Sequence, residues 1–227
     1  MEQDRRLCEF DREFDRKSTC DLKWRQEGVA EYLNQKAPED MIPMWIADTD
    51  FGCMEEIVEA VRTRASHGIY GYCFAAPDLG DRIRFWEQEQ FGWEIRPQWI
   101  TFLPSVVSGI NVAIRAFSKE GDGIIIQTPV YDPFLAIIKK TGRVPVYNQL
   151  KNHDGHYEMD FAGLEQLAQA PENRMLILCS PHNPVGRVWT EEELKKLAEI
   201  CLKNDVMIVT DEIHSDIVYR PYSHVPL

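Results

Sequence analysis

Short apolar runs alternate with longer amphipathic stretches along most of this chain, and that alternation predicts its elements. The run Val206-Met207-Ile208-Val209-Thr210 is apolar on both faces, as a buried strand requires, and it stops abruptly at Asp211-Glu212-Ile213-His214. Similar runs at 99–103, 124–127, 144–147 and 175–179 predict further strands. Between them, Val107, Ile110, Ile114 and Phe117 recur at helical spacing and predict a helix over 105–119. Helices are also predicted over 131–141, 161–168 and 191–204, the last opened by Thr190 with Glu193 three residues on, a capping box. Strands and helices in this order predict an α/β fold with a mainly parallel sheet covered on both faces.

The first part of the chain reads differently. Residues 1–40 are polar and charge-rich, with Trp24 and Tyr32 as the large anchors, and suit an arm rather than a core. A buried-looking segment over 41–51 ends on two acids, Asp48 and Asp50. Helices are predicted over 55–65, with Ile57, Val58 and Val61 on one face, and over 78–91, separated by an aromatic turn at Tyr70-Gly71-Tyr72.

Composition narrows the function classes. At 227 residues and 44% hydrophobic, the chain can bury a sizeable core. A net charge of −12 argues against nucleic acid or an anionic membrane as the main partner. No apolar run approaches the ~18 residues of a membrane span. Met1-Glu2-Gln3-Asp4-Arg5-Arg6 lacks the apolar core of a signal peptide, and six cysteines show no C-x-x-C spacing. A cytoplasmic protein with reduced thiols is expected.

Several stretches invite chemistry. Asp211-Glu212-Ile213-His214 after a strand suits a nucleotide hydrolase, but that requires a Gly-Lys phosphate loop, and the chain has no Gly-Lys pair. Gly121-x-Gly123 precedes its strand and lacks a third glycine, so it reads as a turn. His153 and His156 flank Asp154-Gly155, which reads as a hairpin rather than a metal site. Ser180-Pro181-His182-Asn183-Pro184-Val185-Gly186 is more specific, because its prolines fix a loop at the carboxyl end of the 175–179 strand. Thr128-Pro129-Val130-Tyr131 leaves another strand and carries a ring, and Pro104-Ser105-Val106-Val107-Ser108 opens a helix whose free N–H groups suit a phosphate. Four strand ends thus offer a phosphate cradle, a ring, an amide and a carboxylate, and open α/β sheets bind ligands at such ends. Together they fit one planar, phosphorylated heteroaromatic ring.

These groups resemble the fold-type-I pyridoxal-phosphate enzymes of the aspartate aminotransferase superfamily. Trp45-Ile46-Ala47-Asp48-Thr49-Asp50-Phe51, Gly68-Ile69-Tyr70-Gly71-Tyr72, the 180–189 stretch ending Arg187-Val188-Trp189, and Asp211 to Asp216 resemble its MalY/PatB branch of cystathionine (cysteine-S-conjugate) β-lyases. The resemblance runs from about Asp15 to the last residue. It implies pyridoxal 5'-phosphate as cofactor, a small amino-acid substrate and a homodimer. It implies Asp211 at the pyridine nitrogen, Asn183 and His214 at the ring hydroxyl oxygen, and Tyr131 and Ile213 on the two ring faces. Ser105 and the backbone of Val106 and Val107 would hold the phosphate, and Tyr72 would reach the phosphate of the neighbouring subunit. Cis peptides are expected before Pro184 and Pro129. Opposite charges ~4 Å apart at an effective dielectric of ~20 attract by about 4 kcal/mol, which supports a protonated ring at Asp211.

The resemblance also sets expectations for what is missing. The branch carries Met where Thr49 stands and Thr where Val185 stands. Its Schiff-base lysine lies beyond the Asp211 strand, yet no lysine follows Lys203 and no arginine follows Arg220. The expectation is an N-terminal fragment, inactive and unstable alone: residues 1–52 as an arm and part of the small domain, 53–227 as an incomplete large cofactor-binding domain. The alternatives are an aminotransferase, which shares all these residues, and a remnant acting only through dimer contacts.

Overall fold

The computed structural model describes residues 10–16, 18–36, 38 and 40–227. The signal-peptide reading of residues 1–6, and Cys8, lie outside them. Contacts divide the chain into two compact units, Met1–Phe74 and Ala75–Leu227.

The first unit has a short 3-10 turn, Leu22–Trp24, and two helices, α1 (Gln26–Leu33) and α2 (Glu55–Ser66). Its organising feature is ionic. Arg16 bridges Asp21 at 2.9 Å and Asp50 at 2.6 Å, and it also pairs with Asp48. Lys23, buried despite its charge, reaches the Asp48 carbonyl at 2.8 Å and the Asp50 carboxylate at 2.6 Å. With the Trp24 indole N–H added, these contacts, Lys23 foremost, hold the Asp50 carboxyl down to about 2. The expectation of a buried 41–51 segment holds only in part: Pro43 is buried and Met41, Trp45 and Ile46 are half-buried, whereas Ile42 and Met44 are exposed. On α2, Ile57 and Val61 are likewise exposed.

The second unit carries the sheet. Helix α3 (Leu79–Phe91) ends at Gly92, whose φ of +67° suits a left-handed cap. The strand expected over 99–103 is absent. Pro97–Trp99 forms a 3-10 turn instead, and Trp99, Phe102 and Leu103 stay exposed with no neighbouring strand to pair with. Then follow α4 (Val106–Phe117), β1 (Gly123–Ile126), α5 (Asp132–Lys140), β2 (Val144–Tyr147), β3 (Lys151–His153) and β4 (His156–Glu158). The chain continues through α6 (Phe161–Ala168), β5 (Asn173–Cys179), α7 (Glu191–Lys203) and β6 (Met207–Asp211). β3 and β4 pair as a hairpin around Asp154 and Gly155, both at positive φ, as an Asp-Gly turn requires.

The main sheet is wholly parallel in the order β2-β1-β5-β6. Alternate residues feed two cores. Ile124, Ile126, Met175, Ile177 and Cys179 pack under α4 and α5. Ile125, Leu176 and Leu178 face α6, α7 and Trp189 on the other side. This is the three-layer α/β arrangement that the pattern predicts. β6 is an edge strand among the described residues, its Met207 exposed, so the central buried strands are β1 and β5 instead. The predicted capping box on α7 is present: Thr190 Oγ1 accepts from the Glu193 N–H, and Glu193 returns the bond to the Thr190 N–H at 2.8 Å.

This order positions a site. From β1 the chain crosses to β2 on one side, and from β5 it crosses to β6 on the other. The adjacent carboxyl ends of β1 and β5 are therefore a topological switch point, where flanking loops part and leave a crevice. Helix α4 runs into β1 through a short turn at its carboxyl end, so its amino end lies towards the same edge.

Candidate active site

Two loops line the switch point, and a buried histidine ties them together. His182, after β5, places Nε2 3.2 Å from the carbonyl of Gln127, the residue that follows β1. Its ring stands edge-on to Trp189 at 5.6 Å. Burial pulls the imidazole down to about 4, against a smaller opposing effect of the Gln127 carbonyl, so it is neutral at pH 7. A neutral ring donating from Nε2 leaves Nδ1 as a bare acceptor. Below, the Trp189 indole N–H donates to the Cys179 carbonyl at 2.9 Å, and Cys179 Sγ accepts from the Asn183 N–H at 3.3 Å. The Thr128-Pro129 and Asn183-Pro184 peptides are cis, as expected, and so is Ser180-Pro181.

This floor leaves polar atoms without partners. Gln127 Oε1, Ser180 Oγ and His182 Nδ1 are buried with no hydrogen-bond partner among the described residues. Buried orphans are few in folded proteins and call for a water, ion or ligand. All three sit on the two loops at the switch point.

Asp211 closes β6 directly opposite Cys179, and its carbonyl accepts from the Ser180 N–H at 2.9 Å. Asp211 is 4% exposed as a residue, and its carboxylate accepts the Ile213 N–H at 3.1 Å. Burial raises its pKa; the Ile213 N–H and His214 oppose the shift, and Glu212 adds to it. No lysine or arginine pairs with it among the described residues, and the Ile213 N–H is its one side-chain hydrogen bond there. It is a buried carboxylate still lacking a full positive partner.

The remaining expected residues can be placed one by one. Asn183 is half-buried in the proline-fixed loop, with its backbone N–H engaged by Cys179. Ile213 is 63% exposed and His214 half-buried, both just past Asp211. Tyr131 occupies the N-cap position of α5 without a side-chain capping bond; the residue is 39% exposed and its ring lies edge-on to Phe134 at 5.8 Å. Ser105 caps α4 by accepting the Ser108 N–H at 3.1 Å, which leaves the N–H groups of Val106 and Val107 without an acceptor among the described residues. Such free amides at a helix amino end favour an anion. Tyr72 lies in the first unit and is fully exposed.

The pattern of the sequence missed His182, Gln127 and Cys179 as site-builders. His182 stood in a motif already singled out, but burial and tautomer assign its role, and neither can be read from spacing. His153 and His156 sit across the β3–β4 turn, each near Glu158, and no group of three metal-binding side chains occurs among the described residues.

The chain is similar to known proteins along almost its whole length. The chain is 41% identical over 217 residues to cystathionine beta-lyase PatB of Bacillus subtilis, across 96% of this chain and 55% of that protein. It is 32% identical to protein MalY of Escherichia coli, across 97% of this chain and 55% of that one. Cystalysin from Treponema denticola, solved with a pyridoxal 5'-phosphate cofactor, superposes with a TM-score of 0.88 at 35% identity, over 96% of this chain and 54% of its own. The chain thus spans about half the length of the curated relatives it matches. Residues 39–227 match the family model for aminotransferase class I and II, and the chain belongs to that family.

Proposed function

We propose that the carboxyl edge of β1, β5 and β6 holds pyridoxal 5'-phosphate, and that the whole protein is a carbon–sulfur β-lyase. The observation that carries this reading is Asp211: a buried acidic residue at a strand end beside the switch point, with no lysine or arginine paired to it among the described residues. A cationic ring nitrogen supplies the missing partner. The free Val106 and Val107 amides suit the cofactor phosphate, with Ser105 beside them. Asn183 and His214 suit the ring hydroxyl oxygen, and Tyr131 and Ile213 the two ring faces. When bound, the cofactor supplies an electron sink for charge at the substrate α-carbon. The chain's own part is to orient the ring and keep its nitrogen protonated.

The substrate class proposed is a cysteine S-conjugate such as cystathionine, giving pyruvate, ammonia and a thiol. PatB of Bacillus subtilis and a relative from Corynebacterium glutamicum, 41% and 36% identical to this chain, are both named cystathionine beta-lyases, which supports the choice over amino transfer. The Schiff-base lysine that the resemblance implies has no counterpart among residues 204–227, so turnover is assigned to the whole protein rather than to these residues alone. A homodimer belongs to the same proposal, supported by the fully exposed Tyr72. So does the division at 52/53 between arm and cofactor domain. A cytoplasmic setting is supported by free thiols at Cys20, Cys53, Cys73, Cys179 and Cys201. No described helix is long and apolar enough to cross a membrane.

The test is incubation of the protein with cystathionine and the cofactor. Pyruvate and thiol release without added keto acid is the expected result. Amino exchange that depends on a keto acid would assign an aminotransferase instead.

A further inference from the structure

Glu212 is the acid of the Asp211-to-His214 stretch that the proposed cofactor site does not use. Its carboxylate meets residues 224–227. Its Oε2 lies 3.0 Å from His224 Nε2, and its Oε1 accepts the Leu227 N–H at 3.2 Å. His224 is buried, its ring edge-on to Phe91 of α3 at 5.2 Å. One turn earlier on α3, the Trp86 indole N–H donates to Asp216 at 3.0 Å. The segment between these grips is neither helix nor strand. It is closed by turns in which the Ser215 N–H meets the Glu212 carbonyl and the Ile217 N–H meets the His214 carbonyl, both at 2.9 Å.

The grouping is electrostatically costly. Glu87 of α3 is pushed up by its own burial and then by the anions of Glu212 and Asp216, with His224 opposing. Gathering three carboxylates and an imidazole in a part-buried place costs desolvation that an apolar contact would avoid. The polar contact ties residues 224–227 to the backbone segment that carries Ile213 and His214 and whose Ile213 N–H donates to the Asp211 carboxylate.

We infer that the Glu212–His224 pair is a positioning latch for the cofactor-facing residues of the same segment. The inference rests on the cofactor reading above. With the latch closed, the Ile213 amide stays on Asp211, and Ile213 and His214 stay at the crevice. With it open, the segment loses its hold on residues 224–227.

Three variants test the latch. Glu212→Ala removes both contacts. His224→Phe keeps a ring against Phe91 but strips the nitrogen. Glu212→Gln can still offer its amide oxygen to the Leu227 N–H and its NH2 to a His224 nitrogen lone pair. Two readouts are taken: hydrogen exchange of the 211–217 amides in the apo-protein, and the Kd for pyridoxal phosphate from a fluorescence titration. Glu212→Ala and His224→Phe are expected to speed exchange at least tenfold, weaken binding about tenfold and shift the absorption band of the bound cofactor. Glu212→Gln is expected within threefold of wild type in both readouts. The latch is overturned if Kd stays within twofold in Glu212→Ala, or if Glu212→Gln fails as badly as Ala. A Glu212→Ala protein that does not fold passes the decision to His224→Phe and Glu212→Gln at the same thresholds. Wild-type protein that binds no cofactor overturns the cofactor reading and this role with it. Failure of the latch alone shows only as an unchanged variant ratio.

Discussion

Replacing Asp211 by Asn should weaken cofactor binding while leaving the apo-protein as stable as before. Asn keeps the size of Asp and an oxygen for the Ile213 N–H, so the local backbone is preserved. What it removes is a buried charge whose pKa burial has raised and which has no lysine or arginine partner among the described residues. In the apo-protein that charge is a burden. The ionised form is disfavoured in the folded state, so wild-type stability should fall as pH rises from about 4 through the raised folded pKa. The Asn variant lacks that slope and should equal or exceed wild type at pH 7. Binding reverses the sign. The attraction of a ring cation at ~4 Å is about 4 kcal/mol at an effective dielectric of ~20. We expect about half to be recovered by the Asn amide donating to an unprotonated ring nitrogen. The remaining ~2 kcal/mol corresponds to a Kd about 30-fold weaker. Titration of apo-protein with pyridoxal phosphate, beside urea unfolding of wild type and variant, measures both. A Kd ratio under threefold, or an apo-variant destabilised by more than about 1 kcal/mol, would refute the reasoning.

Three further outcomes follow from the fold. His182, held neutral by burial, contributes stability that is full above pH ~6.5 and is lost as pH falls through about 4. Over that window the loss is on the order of 3 kcal/mol, and His182→Gln should flatten it in urea melts at stepped pH. Thr190→Ala opens the capping box of α7 and should cost about 1 kcal/mol by the same assay, with no change in cofactor affinity. Ile177→Ala, in the middle of β5 and wholly buried, should cost roughly 2–5 kcal/mol, the usual range for a core cavity.

The core strands were legible because β1 and β5 are covered by helices on both faces, and such strands must be continuously apolar. The capping box on α7 was legible because its two residues answer each other at fixed spacing. Trp99, Phe102 and Leu103 misled because an exposed apolar stretch has the composition of a strand, and only a pairing neighbour makes it one. The edge position of β6 was equally invisible. α4 and α7 cover its faces, so its residues read as buried, while lateral hydrogen bonding leaves no mark on composition. At the site, Asp211, Asn183 and the α4 amides stand out in the sequence by their places at strand and helix ends. The floor beneath them depends on which atoms of Gln127, Ser180 and His182 lack partners, and that is set by tertiary packing alone.

The most direct test of the central claim is a crystal structure of the protein with pyridoxal 5'-phosphate. The account predicts the ring nitrogen within hydrogen-bond distance of the Asp211 carboxylate and the phosphate on the Val106 and Val107 amides. A cofactor bound elsewhere, or one whose ring nitrogen faces away from Asp211, would contradict it.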